Sequence, residues 1–374
     1  MDNREFNLLL EFLSDVDEPR ADNKRHNLVD ILMISICATI ADAEGWPDIQ
    51  MFGDIHHEWF KTFLELPNGI PSHDTFQRVF SILDSKKLNE CIIAWISNIH
   101  KITHGEIVAI DGKTIRNSFD AATGKKALHV VSALAKESGI TLGQLRTDKK
   151  SNEITAIPKL LDMLAIKGAL ITIDAMGCQK KIVNAIIDKK ADYLIAVKKN
   201  QKTLYHDITD AFAFSENNEN IKRSSTDYDK GHGRIETRTV ETITDMSLVP
   251  AAVSWRGVST VARVISKREI NNEAKQAVRY YISSIKGSPE DFGKAIRGHW
   301  SIENSLHWVL DVVFNEDKSR TRKDHAPENL AVMRRMAMNL LRTDKGKGSL
   351  RGKRKKAGWN RSYLESILWG GQMR

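Results

Sequence analysis

Three acidic residues in three different local settings carry the clearest chemical potential in this sequence. Asp111 and Asp174 each follow a short apolar run that is typical of a buried strand, and Glu303 lies within a helix-like stretch. A carboxylate at the end of a buried strand is poorly solvated and requires a partner. Because Mg²⁺ prefers oxygen ligands, two strand ends and one helix that meet would form a carboxylate site for Mg²⁺, or for Mn²⁺.

Such a site predicts chemistry on phosphodiesters. Two cations held about 3.5–4 Å apart can bind the attacking and leaving oxygens of an in-line displacement at phosphorus. The net charge of +8 favours a polyanionic partner such as nucleic acid, although an anionic membrane or solubility alone would also account for it. A single Asp after a strand more commonly caps a loop. Here Gly112 and Ala175 follow the two aspartates, and small residues would let a substrate backbone approach closely.

The identity of the third acid rests on helical spacing. Asp311, Glu316 and Asp317 lie close to Glu303 in the sequence and are alternatives to it. Glu303 borders an apolar stripe with the spacing of one helix face, formed by Ile302, Leu306, Val309 and Val313. Because a residue beside that stripe can point into a site next to the sheet, we expect Glu303 to be the third ligand.

The same helix raises two further questions. His299 and His307 could bind zinc, but they are eight residues apart and no third ligand is evident, so zinc is disfavoured. Trp300 and Trp308 could stack on bases, but helix packing is the favoured prediction for both.

Several cations are candidates for phosphate contact. Lys198 and Lys199 follow a predicted strand, where ligands of open α/β sheets usually bind. Arg234 and Arg238 are expected on one face of a strand, with cross-strand ion pairing as the alternative. Lys113, two residues after the first aspartate, is a further candidate.

The elements that must position these residues change character along the chain. We predict an N-terminal helical domain at 1–104, which binds DNA or serves packing, and the first part of a catalytic core at 105–201. A β-rich insertion follows at 202–289, and the core resumes with the Glu303 helix at 290–342. The basic tail at 343–374 is predicted to be a solvated, partly mobile face that contacts phosphates.

The first part of the core has a mixed strand and helix order. The apolar runs and turn residues predict strands at 107–110, 129–133, 142–146, 169–173 and 193–197, and helices at 154–164 and 179–187. The order predicts an α/β fold in which three strands form a meander and helical crossovers add parallel strands.

Targeting and redox features are few. The N-terminus lacks the pattern of a signal peptide, and the apolar run at 31–41 is too short to cross a bilayer. The cysteines, Cys37, Cys91 and Cys178, are far apart and form neither a disulfide framework nor a zinc motif. We therefore expect a cytoplasmic protein that does not bind membranes.

Six motifs together resemble the H-repeat and Rhs-associated transposases, a branch of the DDE insertion-sequence transposases. The resemblance covers nearly the whole chain, and its motifs lie at 68–76, 109–114, 150–158, 173–179, 279–284 and 299–308. It implies a ribonuclease-H-like core with a β insertion, and it implies that Asp111, Asp174 and Glu303 are the DDE triad that binds metal. It further implies cutting of double-stranded DNA at transposon ends by water, attack of the freed 3′-OH on target DNA, a homodimer on DNA and association with the nucleoid.

The chain departs from related DDE branches at two positions that are positively charged in those branches. Related DDE branches carry an Arg four residues before the Glu and a Lys seven after it, where this chain has His299 and Leu310. His299 could donate to a phosphate, whereas Leu310 cannot, so Lys318 or Arg320 could supply the charge, or the mode of end recognition differs. A nuclease of the same fold without strand transfer, and a catalytically silent DNA-binding protein, are the alternative functions.

Overall fold

A single nine-stranded mixed sheet organises the protein, in the computed structural model that describes residues 4–21, 24–120, 123–147, 153–216, 218–231, 234–270 and 273–369. The strands are β1 (Ile107–Ile115), β2 (Leu128–Ala135), β3 (Thr141–Thr147), β4 (Leu170–Ile173), β5 (Asp192–Val197), β6 (Lys222–Gly231), β7 (Arg234–Ile243), β8 (Thr260–Ile270) and β9 (Glu273–Ser283). The spatial order is β3-β2-β1-β4-β5-β9-β8-β7-β6.

Helices pack on this sheet, and further helices precede its first strand and follow its last strand in the chain. They are α1 (Arg4–Ser14), α2 (Leu28–Ile40), α3 (Trp46–Ile55), α4 (His57–Phe60), α5 (His73–Ile82), α6 (Ser85–Ile99), α7 (Glu153–Met163), α8 (Lys180–Asp188), α9 (Lys202–Ser215), α10 (Pro289–His299), α11 (Trp308–Val312), α12 (Ala326–Thr343), α13 (Leu350–Trp359) and α14 (Arg361–Leu368). Within the described ranges, no helix has both the length and the apolar character needed to span a bilayer.

The first five strands form the ribonuclease-H-like core that the resemblance implied. Strands β1, β2 and β3 are an antiparallel meander, and β4 and β5 join β1 in parallel. Helix α7 leads into β4 and α8 leads into β5, which is the crossover arrangement that parallel neighbours require. The predicted fold class is therefore confirmed.

The β-rich insertion lengthens the same sheet. Strand β9 pairs antiparallel with β5, where Ile195 lies opposite Ile282, and β8, β7 and β6 follow in sequence. The sequence did not predict β6, because its residues are polar and lack apolar alternation. As an edge strand it is held by polar contacts to β7, including an ion pair of 2.9 Å between Lys222 and Glu241.

Both faces of the core sheet are buried, which explains the continuous apolar runs in its strands. Helix α10 packs on one face, where Phe292 and Ile296 meet Ile107 and Leu170. A serine cap, in which Ser288 accepts from the backbone of the first turn, fixes the start of α10. The opposite face carries α7 and α8 and belongs to a larger apolar cluster.

The N-terminal helices share that larger cluster with helix α12. Ser72 caps α5, accepting from the Thr75 backbone N–H at 3.4 Å. In α12, the Asn329 amide donates to the backbone oxygens of Phe80 and Leu83, at 2.8 and 2.9 Å. The boundary at residue 104 stays a prediction, since the helices on its two sides pack together.

The C-terminal tail differs from its prediction as a solvated, partly mobile face. Helices α13 and α14 occupy most of it, and the Lys353 and Arg354 side chains are buried. The prediction of a solvated face is wrong for the two helices α13 and α14. Ala357, Leu364 and apolar neighbours form an inward face that packs on the N-terminal helices and α12. Lysines of the preceding loop and the outer helix face are exposed, as expected for Lys345, Lys347, Lys355 and Lys356.

Candidate active site

The two aspartates emerge side by side from parallel strands. In the pairing of β1 with β4, Ile110 lies opposite Ile173, so Asp111 and Asp174 are the next residue of each strand path. The prediction that the first strand ends at residue 110 is wrong. Strand β1 continues to Ile115 against β2, and only its pairing with β4 ends at Ile110.

A π-helical turn brings Glu303 to this edge of the sheet. The predicted continuous helix is interrupted, because α10 ends at His299, a π turn spans Glu303–His307, and α11 follows. Single π turns inside helices are frequent at functional sites, since the extra residue changes the direction of the side chains around it. The predicted apolar stripe remains in the core, with Ile302, Leu306, Val309 and Val313 all buried.

Glu303, His307 and Asp111 form one compact group. The His307 Nδ1 lies 3.1 Å from Glu303 Oε2 and 3.7 Å from Asp111 Oδ2. One ligand atom from each of the three residues lies within 4.8 Å of the other two. Asp174 stands outside this group but lines the same cavity of about 470 Å³. Its Oδ1 accepts from the backbone N–H groups of Met176 at 2.9 Å and Gly177 at 3.3 Å.

The Asp111 carboxylate lies near three other carboxylates, those of Asp174, Glu153 and Glu303. Burial raises the pKa of Asp111 to about 7, and the negative charges of Asp174, Glu153 and Glu303 add to that effect. Burial lowers the pKa of His307, which favours a neutral imidazole that can bind a metal. The donor set of carboxylate oxygens and one imidazole therefore fits a divalent cation, whose charge would relieve the repulsion.

The alternatives to Glu303 are engaged elsewhere. The buried Lys113 ammonium contacts Asp311 at 2.7 Å, Asp317 at 3.0 Å and Glu316 at 3.4 Å. Three carboxylates thus surround Lys113, and its charge is already compensated. This explains why Asp311, Glu316 and Asp317 lie outside the group of Asp111, Glu303 and His307, while contact of Lys113 with a phosphate stays a prediction.

Gly112 has a different role from the one predicted. A side chain at this position would collide with Glu153 and His129, which form a buried pair at 2.5 Å behind the strand. Glycine is therefore required by internal packing next to Asp111, and the prediction that its smallness admits substrate is wrong.

The cavity has two cationic side chains on its wall. Lys198, which follows β5, is one of the predicted residues, and Arg279 of β9 is a second that spacing alone did not reveal. The amides of Asn200 and Gln201 donate to the backbone oxygens of Ala175 and Cys178, at 2.7 and 2.8 Å, which ties the Lys198 loop to the Asp174 loop. The sequence signal for Arg279 was its place at the start of the 279–284 motif.

The remaining predicted cations fall into separate settings. Lys199 is exposed but does not line the cavity. Arg238 forms an ion pair of 2.6 Å with Glu236 of the same strand, whereas the alternative was pairing between strands. Arg234 belongs to β7, but its side chain lies outside the described residues. Leu310 is fully buried in the core, as its apolar character requires.

His299 lines the cavity on its Asp174 side. Its Nδ1 lies 3.2 Å from the Thr172 hydroxyl, and burial lowers its pKa. It does not share a ligand cluster with His307 among the described residues, so the geometry gives no support to a zinc site formed by the two histidines. Trp300 and Trp308 are both more than half exposed, and the prediction that they are packing residues is wrong.

Known proteins resemble the chain over nearly its full length. YncI of Escherichia coli O157:H7 is 45% identical over 367 residues, covering 96% of this chain and 94% of that protein. The H repeat-associated YhhI of E. coli K12 is 43% identical over 374 residues, covering 98% and 99%, and both names describe candidate transposases. The cryo-EM structure of a piggyBac transposase synaptic complex with hairpin DNA has a TM-score of 0.42 at 10% identity, covering 97% of this chain and 80% of that chain.

Two family models cover most of the described helices and strands. One, described as DDE_Tnp_1-associated, matches residues 10–96. The other, described as the transposase DDE domain, matches residues 103–340, a range that contains Asp111, Asp174 and Glu303. The chain therefore belongs to the transposase DDE domain family, as the resemblance of its motifs predicted.

Proposed function

We propose that the protein is a metal-dependent DNA transposase that hydrolyses phosphodiesters at transposon ends and then joins the freed 3′-OH to target DNA. The observation that carries this proposal is the grouping of Asp111, Glu303 and His307 within 4.8 Å, together with the cavity that Asp111, Asp174 and Glu303 line. Family membership supports the transposase class, and the acidic site supports phosphodiester chemistry.

In this proposal Asp111, Asp174 and Glu303 hold Mg²⁺ or Mn²⁺, and His307 is a further ligand or a hydrogen-bond partner of Glu303. When bound, the metal supplies Lewis-acid stabilisation of charge at phosphorus. Lys198 and Arg279 offset the negative charge of the DNA strand that enters the cavity. The His307–Glu303 contact limits rotation of the Glu303 side chain, which is otherwise 63% exposed.

The proposal includes a homodimer on double-stranded DNA. Two transposon ends must be cut and joined together, and one catalytic cavity acts on one end at a time. A protein with this substrate would act in the cytoplasm on the nucleoid.

Cleavage and joining of labelled DNA test the proposal. The substrate is linear duplex carrying the sequences that flank the gene, mixed with a supercoiled target plasmid. We expect nicking and joined product with Mg²⁺ or Mn²⁺, no product with EDTA, and a loss of at least about a hundredfold in rate for Asp174→Asn and Glu303→Gln. Glu137→Gln is the matched control, because Glu137 is 64% exposed and outside the cavity lining.

Binding of Mn²⁺ gives an independent readout, and Glu303→Gln should weaken it while Glu137→Gln leaves it unchanged. Cleavage without joined product would favour a nuclease of the same fold. DNA binding without any cleavage would favour a catalytically silent DNA-binding protein. Full activity of Asp174→Asn with metal would exclude the proposed site.

A further inference from the structure

The cavity of about 470 Å³ that Asp111, Asp174 and Glu303 line is the catalytic cavity of the proposed function. A second, larger concavity lies next to it. Its floor is one face of β7, β8 and β9, and its wall is helix α10, with the edge of β6 at one side. The volume is about 1090 Å³, more than twice that of the catalytic cavity. We call this concavity the basic trough.

The strand register aligns the floor of the trough in rows. Arg279 of β9 lies opposite Val264 of β8, in the row nearest the catalytic cavity. Lys275 of β9 lies opposite Arg268, two rows further out. Since residues of a strand advance about 3.4 Å each and alternate in direction, Lys275 and Arg279 share one face about 14 Å apart.

The trough carries an excess of positive charge. Six cationic side chains of the sheet floor and α10 line it, against three carboxylates: Arg238, Arg268, Lys275, Arg279, Lys294 and Arg297 against Asp227, Glu236 and Glu290. Two of these carboxylates are engaged, because Glu236 pairs with Arg238 and Asp227 pairs with Arg297. Lys275 and Arg279 form no ion pair with a carboxylate in the described part of the chain, and both are exposed. Their charge is therefore available to an anion.

The trough is continuous with the catalytic cavity. Arg279, Ile296 and Trp300 line both concavities. The Arg279 guanidinium lies 5.3 Å above the Trp300 ring, which holds it at the boundary between the two. A chain of phosphates that reaches Asp111 and Glu303 can thus continue into the trough without leaving a positive surface.

We propose that the basic trough binds the sugar–phosphate backbone of the duplex DNA that extends from the catalytic cavity. The inference rests on the proposed function and goes beyond it, because it assigns DNA contact to a surface about 14 Å long that is separate from the metal ligands. Charge complementarity and continuity with the cavity both favour a polyanion of repeating charge over a single small anion.

Duplex binding without metal tests this proposal. The probe is a fluorescent 30-base-pair duplex of random sequence, titrated with full-length protein in EDTA over a range of salt concentrations. Lys275→Gln removes one phosphate contact at a residue outside the catalytic cavity. Each phosphate contact multiplies the association constant by about [salt]^−0.9, with the salt concentration in M. We therefore expect the association constant of Lys275→Gln to be about eightfold lower at 0.1 M salt, and the slope of its logarithm against the logarithm of salt concentration to be smaller in magnitude by about 0.9.

Lys167→Gln is the matched control. Lys167 is exposed in the loop before β4, at the end of that strand opposite Asp174. Its loss should leave both affinity and salt slope unchanged, and unfolding midpoints should be equal for both variants and the native chain. The double variant Arg268→Gln/Lys275→Gln should lose more affinity than Lys275→Gln alone.

The outcomes separate this inference from the proposed function. If Lys275→Gln binds duplex as tightly as Lys167→Gln, the trough does not hold DNA, while metal-dependent cleavage at Asp111 and Glu303 can still stand. If the native chain binds no duplex at all, both the trough and the transposase proposal are overturned.

Discussion

The Asp111 carboxylate is the most electrostatically strained group of the catalytic cavity. It lies within β1, and burial together with three further carboxylates raises its pKa to about 7. A group of this kind destabilises the fold when it is ionised and unpaired, and it becomes favourable once a divalent cation is bound. In the proposed function, the same arrangement that weakens the metal-free protein would favour binding of a divalent cation.

This environment predicts a pH-dependent gain of stability for Asp111→Asn in EDTA. The folded-state pKa lies above the unfolded value of 3.8, so ionisation costs stability as pH rises from about 4 through 7. The side chain is 31% exposed, and solvent screening reduces the effect to about 2 kcal/mol. Urea unfolding should show the variant more stable at pH 8 and equal to the native chain near pH 4.

Asp74→Asn provides the control for this comparison, because Asp74 is largely exposed on helix α5. It should shift stability by less than about 0.5 kcal/mol at both pH values. A stability difference for Asp111→Asn that is the same at pH 4 and pH 8 would contradict the electrostatic explanation. Adding Mn²⁺ at pH 8 should reverse the order, since only the native chain keeps its full ligand set.

At the scale of elements, Lys113 connects the strand that carries Asp111 with the segment that follows Glu303. Its ammonium joins β1 to Asp311 of α11 and to Asp317 in the next turn. Glu316 in turn contacts Arg335 of α12 at 2.8 Å, which extends the network to a third element. One buried ion-pair network thus connects the strand that carries Asp111 with the segment that follows Glu303.

Replacing Lys113 by Met should leave Asp311 without its cation beside two further carboxylates, whereas Glu316 keeps its contact with Arg335 and Asp317 its contact with Arg116. Breaking a buried ion pair on one side typically costs about 3 kcal/mol or more, and we expect a loss of that size in urea unfolding at pH 7. Lys113→Met/Asp311→Asn should recover part of the loss, since it removes one of the unpaired charges. A variant of unchanged stability with weakened duplex binding would instead make Lys113 a phosphate contact.

The parts of the fold and site that the sequence predicted are those with a local signature. Apolar runs located β1 and β4, and the residues after them gave Asp111 and Asp174. Strand β6 was missed because its stability comes from pairing with β7, which no local apolar pattern reveals.

The site residues that were missed depend on geometry of longer range. The sequence raised His307 only as a zinc ligand together with His299, and spacing within one helix does not reveal its contact with Asp111 of β1. Arg279 reaches the cavity because β9 inserts beside β5, far along the chain. The engagement of Lys113 by Asp311 and Asp317 likewise joins residues about 200 positions apart.

At the scale of the whole molecule, a C-terminal helix contacts the N-terminal helices directly. Arg354 of α13 donates to the backbone oxygen of Thr39 at 2.9 Å and pairs with Asp42 at 2.8 Å. It also donates to the Val313 backbone oxygen and lies 4.2 Å over the Phe314 ring. One buried side chain thus links the end of α2, the segment after the Glu303 helix and the C-terminal helices.

Arg354→Met should therefore destabilise the whole protein and not only its C-terminal helices. The change removes an ion pair and leaves the Thr39 and Val313 oxygens without their donor, which predicts a loss of about 2–3 kcal/mol in urea unfolding. Because the N-terminal helices share one apolar cluster with α12, the transition should stay single and shift as a unit. Lys355→Met is the control, since the neighbouring Lys355 is exposed and should cost less than about 0.5 kcal/mol. Equal unfolding free energies for the two variants would mean that α13 does not contribute to the stability of the rest of the fold. A loss of unfolding free energy in Arg354→Met alone would show that the basic C-terminal segment contributes to the fold around the catalytic cavity.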